Sequence, residues 1–144
     1  MSATTTNDLA PLRPSLALRI GLWTAQALIF LVFGMAALTK LFTPIPELSQ
    51  MMPWTGDHSV AFVRAIGLID LAGALGIIMP SLTRIKPGLT VLAALGCATL
   101  QVIALVFHLS RGEAILTPLN LVLLALSLFV LWGRNNKAPI LPRN

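Results

Sequence analysis

Charged side chains are scarce in this sequence. Asp, Glu, Lys and Arg make up 10% of the 144 residues, whereas 56% are hydrophobic and the mean hydropathy is +0.86. A soluble domain carries roughly 25% charged residues, so this chain could not cover a globular surface with groups that water solvates well. The composition therefore predicts an integral membrane protein. The length fits one compact domain and excludes a separate soluble enzyme domain beside it.

Cysteine and histidine are rare as well. Cys97 is the only cysteine, so the chain has no CxxC motif and forms no intramolecular disulfide. This excludes the dithiol relay of membrane thiol oxidases and leaves Cys97 as a small packing residue. His58 and His108 come from different segments without HxxxH spacing, so the sequence predicts no metal site. Phosphate-binding loops, nucleophile elbows and nucleotide fingerprints are also missing.

Acidic residues number 5 against 10 Lys and Arg. In a soluble chain this excess would indicate nucleic-acid binding. Here the basic residues flank hydrophobic runs, so we interpret them as topology signals at an anionic membrane face. Seven of the ten lie near the termini or between the second and third apolar segments: Arg13, Arg19, Arg84, Lys86, Arg134, Lys137 and Arg143. This predicts a multi-pass protein of the cell inner (plasma) membrane with both termini cytoplasmic and no nucleic-acid partner.

Four long apolar segments follow one another along the chain. They cover about residues 16–42, 60–79, 89–109 and 115–132. Each is close to the ~20 residues that cross a bilayer core, and continuous runs without alternation exclude a β-barrel. The predicted fold is therefore all-α, a four-helix transmembrane bundle over residues 16–134. Residues 1–15 are predicted to be a disordered tail, and residues 135–144 a basic C-terminal tail.

The segment ends carry further signals. The second span is predicted to stop at Pro80. The fourth starts either with Thr117 as N-cap and Pro118 at the first helical position, or a few residues earlier. The longest connection, residues 43–59, contains three prolines that keep it from being one regular helix. We expect this loop to lie over the mouth of the bundle or in the membrane interface.

The second apolar segment contains two charges of opposite sign, Arg64 and Asp70. A lone charge at mid-bilayer costs at least ~2.5 kcal/mol, so such residues usually face the bundle interior and pair. With a rise of ~1.5 Å per residue, Arg64 should lie about 6 Å below the outer surface and Asp70 about 9 Å deeper. The two side chains are about 120° apart around the helix. Each therefore needs partners from neighbouring helices, with Arg64 as the electrostatic counterpart of Asp70.

Polar residues from all four segments lie at matching depth in the outer half of the bundle. We expect them to converge on a ligand-binding pocket: Lys40, Arg64, Asp70, Gln101, His108 and Asn120. Asp70, either ion-paired or protonated, and His108 are candidates for a proton relay. The inner half offers only Thr24 and Gln26 for comparison. Alternatively, these groups simply fasten helices together, at roughly 0.6 kcal/mol per contact.

Four stretches between about residues 20 and 134 stand out by their order and spacing: FGMAALTKL, RAIGLIDLAGALGIIMP, PGLTVLAALGCATLQVIALVFHLSRGE and WGR. In these stretches the chain resembles the DoxX-like integral membrane proteins, which implies a four-helix membrane bundle. The positions that match the family pattern are Lys40, Arg64, Asp70, His108 and Glu113. Members commonly carry Glu where this chain has Asp70. The family name comes from a small subunit of a thiosulfate:quinone oxidoreductase, which implies a redox setting.

The sequence leaves several functions open. The first is a redox-associated accessory subunit, not a complete enzyme, that binds a quinone or a similar small amphipathic molecule and relies on a redox partner protein for electrons. The second is a small transporter, for which four helices are few unless the chain forms a homodimer. The third is a non-catalytic scaffold or partner-binding subunit in the lipid bilayer. Glu113 is expected to pair with Arg111 or Arg64, or to remain a solvated surface acid.

Overall fold

The structure, a computed structural model, describes residues 12–144. Its five α-helices are α1 (Leu16–Phe42), α2 (Ile45–Met51), α3 (Val60–Thr83), α4 (Gly88–Ser110) and α5 (Thr117–Trp132). Short helical turns flank α2 and α5 at Pro53–Gly56, Ala114–Leu116 and Gly133–Lys137. The described residues contain no β-strand. Most of the predicted disordered tail, residues 1–11, lies outside the described part of the chain.

Four helical stretches are long and apolar enough to cross a membrane. They are α1, α3, α4 and the continuous stretch Ala114–Lys137 that contains α5. The all-α prediction with four spanning helices is thereby confirmed. We call the end of the bundle that carries residues 43–59 and 111–113 the loop end, and the end where α1 begins and residues 138–144 lie the terminal end.

Two helix boundaries differ from the sequence prediction. Helix α3 continues through Pro80 to Thr83 and ends at Arg84, which has a left-handed backbone with φ of 59°. A proline inside a helix removes one backbone hydrogen bond, and here the remaining bonds carry the helix past it. Thr117 is the first residue of α5 rather than its N-cap, because the turn Ala114–Leu116 leads directly into the helix. The α-helix thus begins one residue before Pro118, with the 3₁₀ turn directly ahead of it.

The helices form a closed ring. Helix α1 packs against α3, α3 against α4, α4 against α5, and α5 back against α1. Small and branched apolar side chains from all four fill the centre: Ala25, Ile29, Phe33, Ala74, Ile77, Ala94, Cys97, Leu123 and Val130. Cys97 is buried among them, in the packing position expected for it. Large apolar residues such as Leu31, Leu92 and Val106 are exposed on the outside of the ring, which fits a surface solvated by lipid rather than water.

The loop end is covered by the long connection between α1 and α3. Helix α2 and the turn after it place Leu48 and Trp54 in a small apolar cluster with Val63 and the half-buried Phe107. The prolines of this connection divide it into a short α-helix and a separate 3₁₀ turn. The connection therefore lies over the mouth of the bundle.

The terminal end contains a buried polar network. Gln26 Nε2 donates to the carbonyl oxygen of Ile77 at 2.7 Å and to Ser81 Oγ at 3.0 Å, while Gln26 Oε1 accepts from Arg134 Nε at 2.8 Å. Ser81 Oγ also lies 2.8 Å from Thr90 Oγ1. The expectation that this half offers only Thr24 and Gln26 is wrong. Ser81 and Arg134 are buried because helical structure continues past the predicted span ends, and Thr90 is buried in the first turn of α4.

Candidate functional site

A cavity of about 260 Å³ opens at the loop end, between the helices and beneath the covering connection. Most of its lining is apolar and aromatic, and the polar side chains are few: Lys40, Asp70, Gln101, His108 and Asn120. Such a lining, with a few convergent polar groups, is typical of sites that bind small molecules. The cavity therefore identifies the loop end as the candidate site.

Lys40 and Asp70 form a buried ion pair in the wall of the cavity. Lys40 Nζ lies 2.7 Å from Asp70 Oδ2, and the two side chains are only 11% and 8% exposed. Lys40 belongs to the last turn of α1, while Asp70 lies in the middle of α3. The close backbone approach at Gly67, where an added Cβ would lie 3.0 Å from Lys40 Cβ, brings these helices together. The short distance between the two groups is that of an ion pair, one of the two arrangements predicted for Asp70.

Arg64 does not serve as the counterpart of Asp70. Its guanidinium instead donates to the carbonyl oxygens of Lys40 and Thr43, the latter at 2.9 Å, at the carboxyl end of α1. The last carbonyls of a helix lack intrahelical partners and carry partial negative charge, so they attract a cation. Because Arg64 lies a third of a turn around α3 from Asp70, it reaches the end of α1 and is not part of the cavity wall.

Gln101 and Asn120 line the cavity from α4 and α5. Gln101 Oε1 and Asn120 Nδ2 are both buried, and neither has a hydrogen-bond partner among residues 12–144. A buried polar atom without a partner costs about 1–3 kcal/mol. Both side chains end in an amide that can donate through nitrogen and accept through oxygen, so a turn of either amide would offer a partner to a polar group of a ligand.

His108 connects the cavity to a chain of charged groups at the loop end. His108 Nδ1 lies 2.7 Å from Glu113 Oε2, and Glu113 Oε1 accepts from Arg111 Nε at 2.9 Å. Arg111 Nη2 in turn donates to Asp57 Oδ2 at 2.6 Å, in the covering connection. Of the two partners expected for Glu113, Arg111 is correct and Arg64 is not. The chain runs from the part-buried imidazole of His108 to the largely exposed carboxylate of Asp57.

These contacts shift the pKa values of Glu113 and Arg111, which both lie outside the membrane-spanning segments. The hydrogen bond from His108, followed by that from Arg111, lowers the pKa of Glu113 below its ordinary value. The hydrogen bonds to Asp57 and Glu113 raise the pKa of Arg111. Both groups are therefore fully charged at neutral pH, and Glu113 is an acceptor towards both of its neighbours.

Aromatic side chains line the cavity beneath the connection that covers the loop end. Trp54 packs edge-to-face against Phe62 and Phe107, with ring centroids 6.4 and 5.9 Å apart. His58 stacks on Phe62, and its Nδ1 donates to the carbonyl oxygen of Trp54 at 2.7 Å. Sequence reasoning identified the apolar patch of the loop around Trp54 but did not predict that it would line the site. Phe107 gave no signal of its own among the other apolar residues of α4.

The structure thus brings five of the six predicted site residues to one cavity and places the sixth, Arg64, behind it. In the described residues 12–144, no three His, Cys, Asp or Glu side chains lie together in a way that could hold a metal ion. The fold and the site together define a small multi-pass membrane protein with a mostly apolar cavity at one end.

The comparisons with known proteins agree with this class. The sequence profile of the DoxX-like family matches residues 24–130, which is most of the chain. The chain belongs to the DoxX-like family. No curated protein and no solved structure matches it.

Proposed function

We propose that this protein is an accessory subunit of the cell inner (plasma) membrane that binds a quinone, or a similar small amphipathic molecule, in the loop-end cavity and works with a redox partner protein. The observation that carries the proposal is the cavity itself, which is lined by aromatic and aliphatic side chains together with two side-chain amides and a buried ion pair. Its volume of about 260 Å³ is near the lower end of the range for small-molecule sites, ~300–1,000 Å³, which favours a single substituted ring.

The residues present fit such a ring. Gln101 and Asn120 line the cavity, and each side-chain amide has a donor for a ring oxygen and an acceptor for a ring hydroxyl. Trp54 and Phe107 offer flat apolar surfaces on the same cavity. A bound quinone supplies the capacity to carry two electrons and two protons. The side chains that would hold or move those protons are Asp70 and His108, as predicted from the sequence.

The electrons of such a reaction have to come from another protein. The chain has a single cysteine, and residues 12–144 contain no cluster of metal-ligating side chains. The proposed redox role therefore places this protein beside an electron-carrying partner within the lipid bilayer. With the basic residues concentrated at the terminal end, the proposed orientation has both termini in the cytoplasm and the cavity on the opposite side.

Binding of a short-chain quinone tests the proposal. The wild type, purified in detergent, is expected to bind decyl-quinone, whereas the double variant Gln101→Leu/Asn120→Leu is expected to bind about 10- to 100-fold more weakly, since it loses two hydrogen bonds. The matched control is Thr99→Val, because Thr99 lies on α4 outside the cavity and bonds only to the carbonyl oxygen of Leu95. Mass spectrometry of the purified wild type is expected to find a co-purified quinone that the double variant lacks.

Two results would contradict the proposal: no quinone binding by the wild type, or equal binding by the double variant. The alternative is then a non-catalytic scaffold or partner-binding subunit. One observation favours that alternative, since the contacts of Lys40 with Asp70 and of Arg64 with the end of α1 join two helices without any ligand. A transporter, which is less favoured because no internal repeat is visible, would reveal itself by solute flux in liposomes.

A further inference from the structure

A second cavity, of about 230 Å³, lies between α3 and α4 at mid-depth in the bundle. Every residue of its lining except Cys97 is apolar, and several are small, among them Ala72, Gly73 and Gly96. Ala72 and Gly96 are exposed on the outside of the ring of helices. The second cavity is therefore open to the surrounding lipid on one side.

The second cavity adjoins the loop-end cavity, because Phe33 and Leu100 belong to the lining of both. The two linings also continue one another along each helix, at steps of three and four residues. One row, on α3, consists of Phe62, Ile66, Ile69 and Gly73. The other row, on α4, consists of Gly96, Leu100, Ile103 and Phe107.

These two rows define one groove. Residues three and four positions apart share a face of a helix, so the rows lie opposite each other where α3 packs against α4. We call the space along them the α3–α4 groove. From residue 62 to residue 73 it is about 16 Å long, and it joins the loop-end cavity to the second cavity.

Both ends of the α3–α4 groove are closed, whereas its flank is open. At the loop end, Trp54 packs against the aromatic rings that end the two rows, with 6.4 and 5.9 Å between ring centroids. Towards the terminal end the helices touch, since a Cβ added at Gly76 would lie 2.9 Å from Ala93 Cβ. Between these points Ile69 and Ile103 are 50% and 59% exposed. The groove is thus long, apolar and accessible from the bilayer.

A groove of this shape suits a hydrocarbon chain. Within lipid, apolar groups associate through packing contacts rather than through the hydrophobic effect, and such contacts are individually small but sum over many atoms. A chain attached to a ring in the loop-end cavity is held beside the groove at a high effective concentration. It therefore competes well with the free lipid chains that would otherwise fill the groove.

From this continuity we infer that the ligand of the loop-end cavity carries a long hydrocarbon tail, which leaves the cavity past Leu100 and lies in the α3–α4 groove. The class of ligand is thereby narrowed to a membrane-dissolved molecule with a ring at one end and an apolar chain at the other. The inference rests on the proposed function, because it concerns the ligand of the same loop-end cavity.

Photolabelling locates the tail in the purified wild type. The probe is decyl-quinone with a diazirine in the last part of its decyl chain, and mass spectrometry of peptides identifies the labelled residues. Photolysis is expected to label residues 69–73 and 96–100, which line the second cavity. An excess of unlabelled decyl-quinone is expected to abolish this labelling, whereas labelling of the lipid-facing surface elsewhere should persist.

A variant that fills the groove tests the same contact by affinity. A Cβ at Gly96 would meet no atom of residues 12–144 within 4 Å, so Gly96→Leu places a side chain in the groove without a clash. With affinities corrected for partition into protein-free micelles, Gly96→Leu is expected to bind decyl-quinone at least about tenfold more weakly than the wild type. A matching quinone with hydrogen in place of the decyl chain should bind equally to both.

The matched control is Gly34→Leu. Gly34 is a glycine of α1 that also has open space around its Cβ position, and it lines neither cavity. This variant should bind decyl-quinone as the wild type does. Thermal unfolding confirms that the variants are folded, and if Gly96→Leu is not, Ala72→Leu fills the same groove from α3 and gives the same readout.

The failure of the inference and that of the proposed function differ in outcome. If decyl-quinone binds but the competed label lies on α1, on α5 or in the covering connection, the tail does not lie in the α3–α4 groove. Labelling of the groove that persists in excess decyl-quinone, or unweakened binding by Gly96→Leu, would overturn the inference as well. All three results leave the loop-end cavity as the binding site. If neither quinone binds to the wild type, the proposed function itself is wrong.

Discussion

Lys40 and Asp70 are the two charged residues buried in the wall of the cavity. Counted over the whole residue, backbone included, they are 8% and 5% exposed. Taking two charges out of water costs several kcal/mol, and their mutual attraction offsets this only while both partners are present. Removing one partner leaves the other as an uncompensated buried charge. The pair therefore stabilises the contact of α1 with α3 in a way that depends on both residues at once.

We expect Asp70→Leu or Lys40→Met alone to lower the free energy of unfolding by about 3–5 kcal/mol. The double variant Lys40→Met/Asp70→Leu should recover most of that loss, because no unpaired charge remains. Unfolding by detergent titration measures all three against Lys137→Met, an exposed lysine at the terminal end. If the double variant lost the sum of the two single losses, the ion pair would not be the source of the stabilisation.

Glu113, at the rim of the site, makes the stability of the protein depend on pH. Its contacts with His108 and Arg111 hold its pKa below the ordinary 4.5. The stabilisation from a lowered carboxyl pKa is fully present above the unfolded value and is lost as the pH falls through the native value. The contribution of Glu113 is therefore constant at neutral pH and disappears in acid, below pH 4.5.

Thermal unfolding of Glu113→Gln is expected to begin about 2–4 °C below that of the wild type at pH 7. The difference should shrink as the pH is lowered below 4.5, because the wild type then loses the same carboxylate. Glu47→Gln is the matched control, since Glu47 is an exposed acid in α2 and should show no such difference. A gap between Glu113→Gln and the wild type that stayed constant down to pH 3 would contradict this account.

At the scale of helices, the contact between α3 and α4 depends on a position without a side chain. A Cβ added at Gly76 would lie 2.9 Å from Ala93 Cβ, closer than two such atoms can approach. Neither atom can turn away, because both are attached directly to helix backbone. Small residues at such crossings allow helices in a membrane to pack closely.

Gly76→Ala is therefore expected to push α3 and α4 apart and to cost about 1–3 kcal/mol of unfolding free energy. Ala93→Gly should suppress this defect in the double variant, since it removes the opposing methyl group. Gly96→Ala, on the lipid-facing side of α4 with nothing within 4 Å, should instead stabilise by about 0.5–1 kcal/mol, because alanine is the better helix former. If the double variant Gly76→Ala/Ala93→Gly were as unstable as Gly76→Ala alone, the contact with Ala93 would not be the cause of the lost stability.

For the whole molecule, charge is distributed unevenly between the two ends. Seven of the ten Lys and Arg residues lie at the terminal end, whereas every Asp and Glu of the described chain lies between residues 47 and 113, at the loop end or in the middle of α3. Cytoplasmic segments of membrane proteins are enriched in Lys and Arg. The charge distribution therefore predicts one orientation of the bundle.

Fusion reporters test that orientation in bacterial cells. A green fluorescent protein at the C-terminus is expected to fluoresce, and an alkaline phosphatase at the same place to be inactive, because each reporter works on one side of the membrane only. A phosphatase inserted after Gly112 at the loop end should be active and serves as the control. The reverse pattern would place both termini outside and would require the proposed position of the cavity to be reversed.

The sequence by itself determined the membrane class, the four spans and the depth of each polar residue. Length and hydropathy fix a span, and the constant rise of a helix converts sequence position into depth. This is why Lys40, Asp70, Gln101, His108 and Asn120 could be assigned to one end of the bundle before any contact was known. The same reasoning failed at Arg134, because a basic residue beside a predicted span end was interpreted only as a topology signal.

Only the tertiary structure decided which side chains meet. In the structure, Asp70 pairs with Lys40, and Arg64 binds the carboxyl end of α1. Arg134 is buried beside Gln26, and Trp54 lines the cavity. The physical reason lies in the solvent. A helix in water marks its buried face with an apolar stripe, whereas a helix in lipid is apolar on the outside as well as the inside. Its rotation, and therefore its partners, follow from packing rather than from the pattern along the chain.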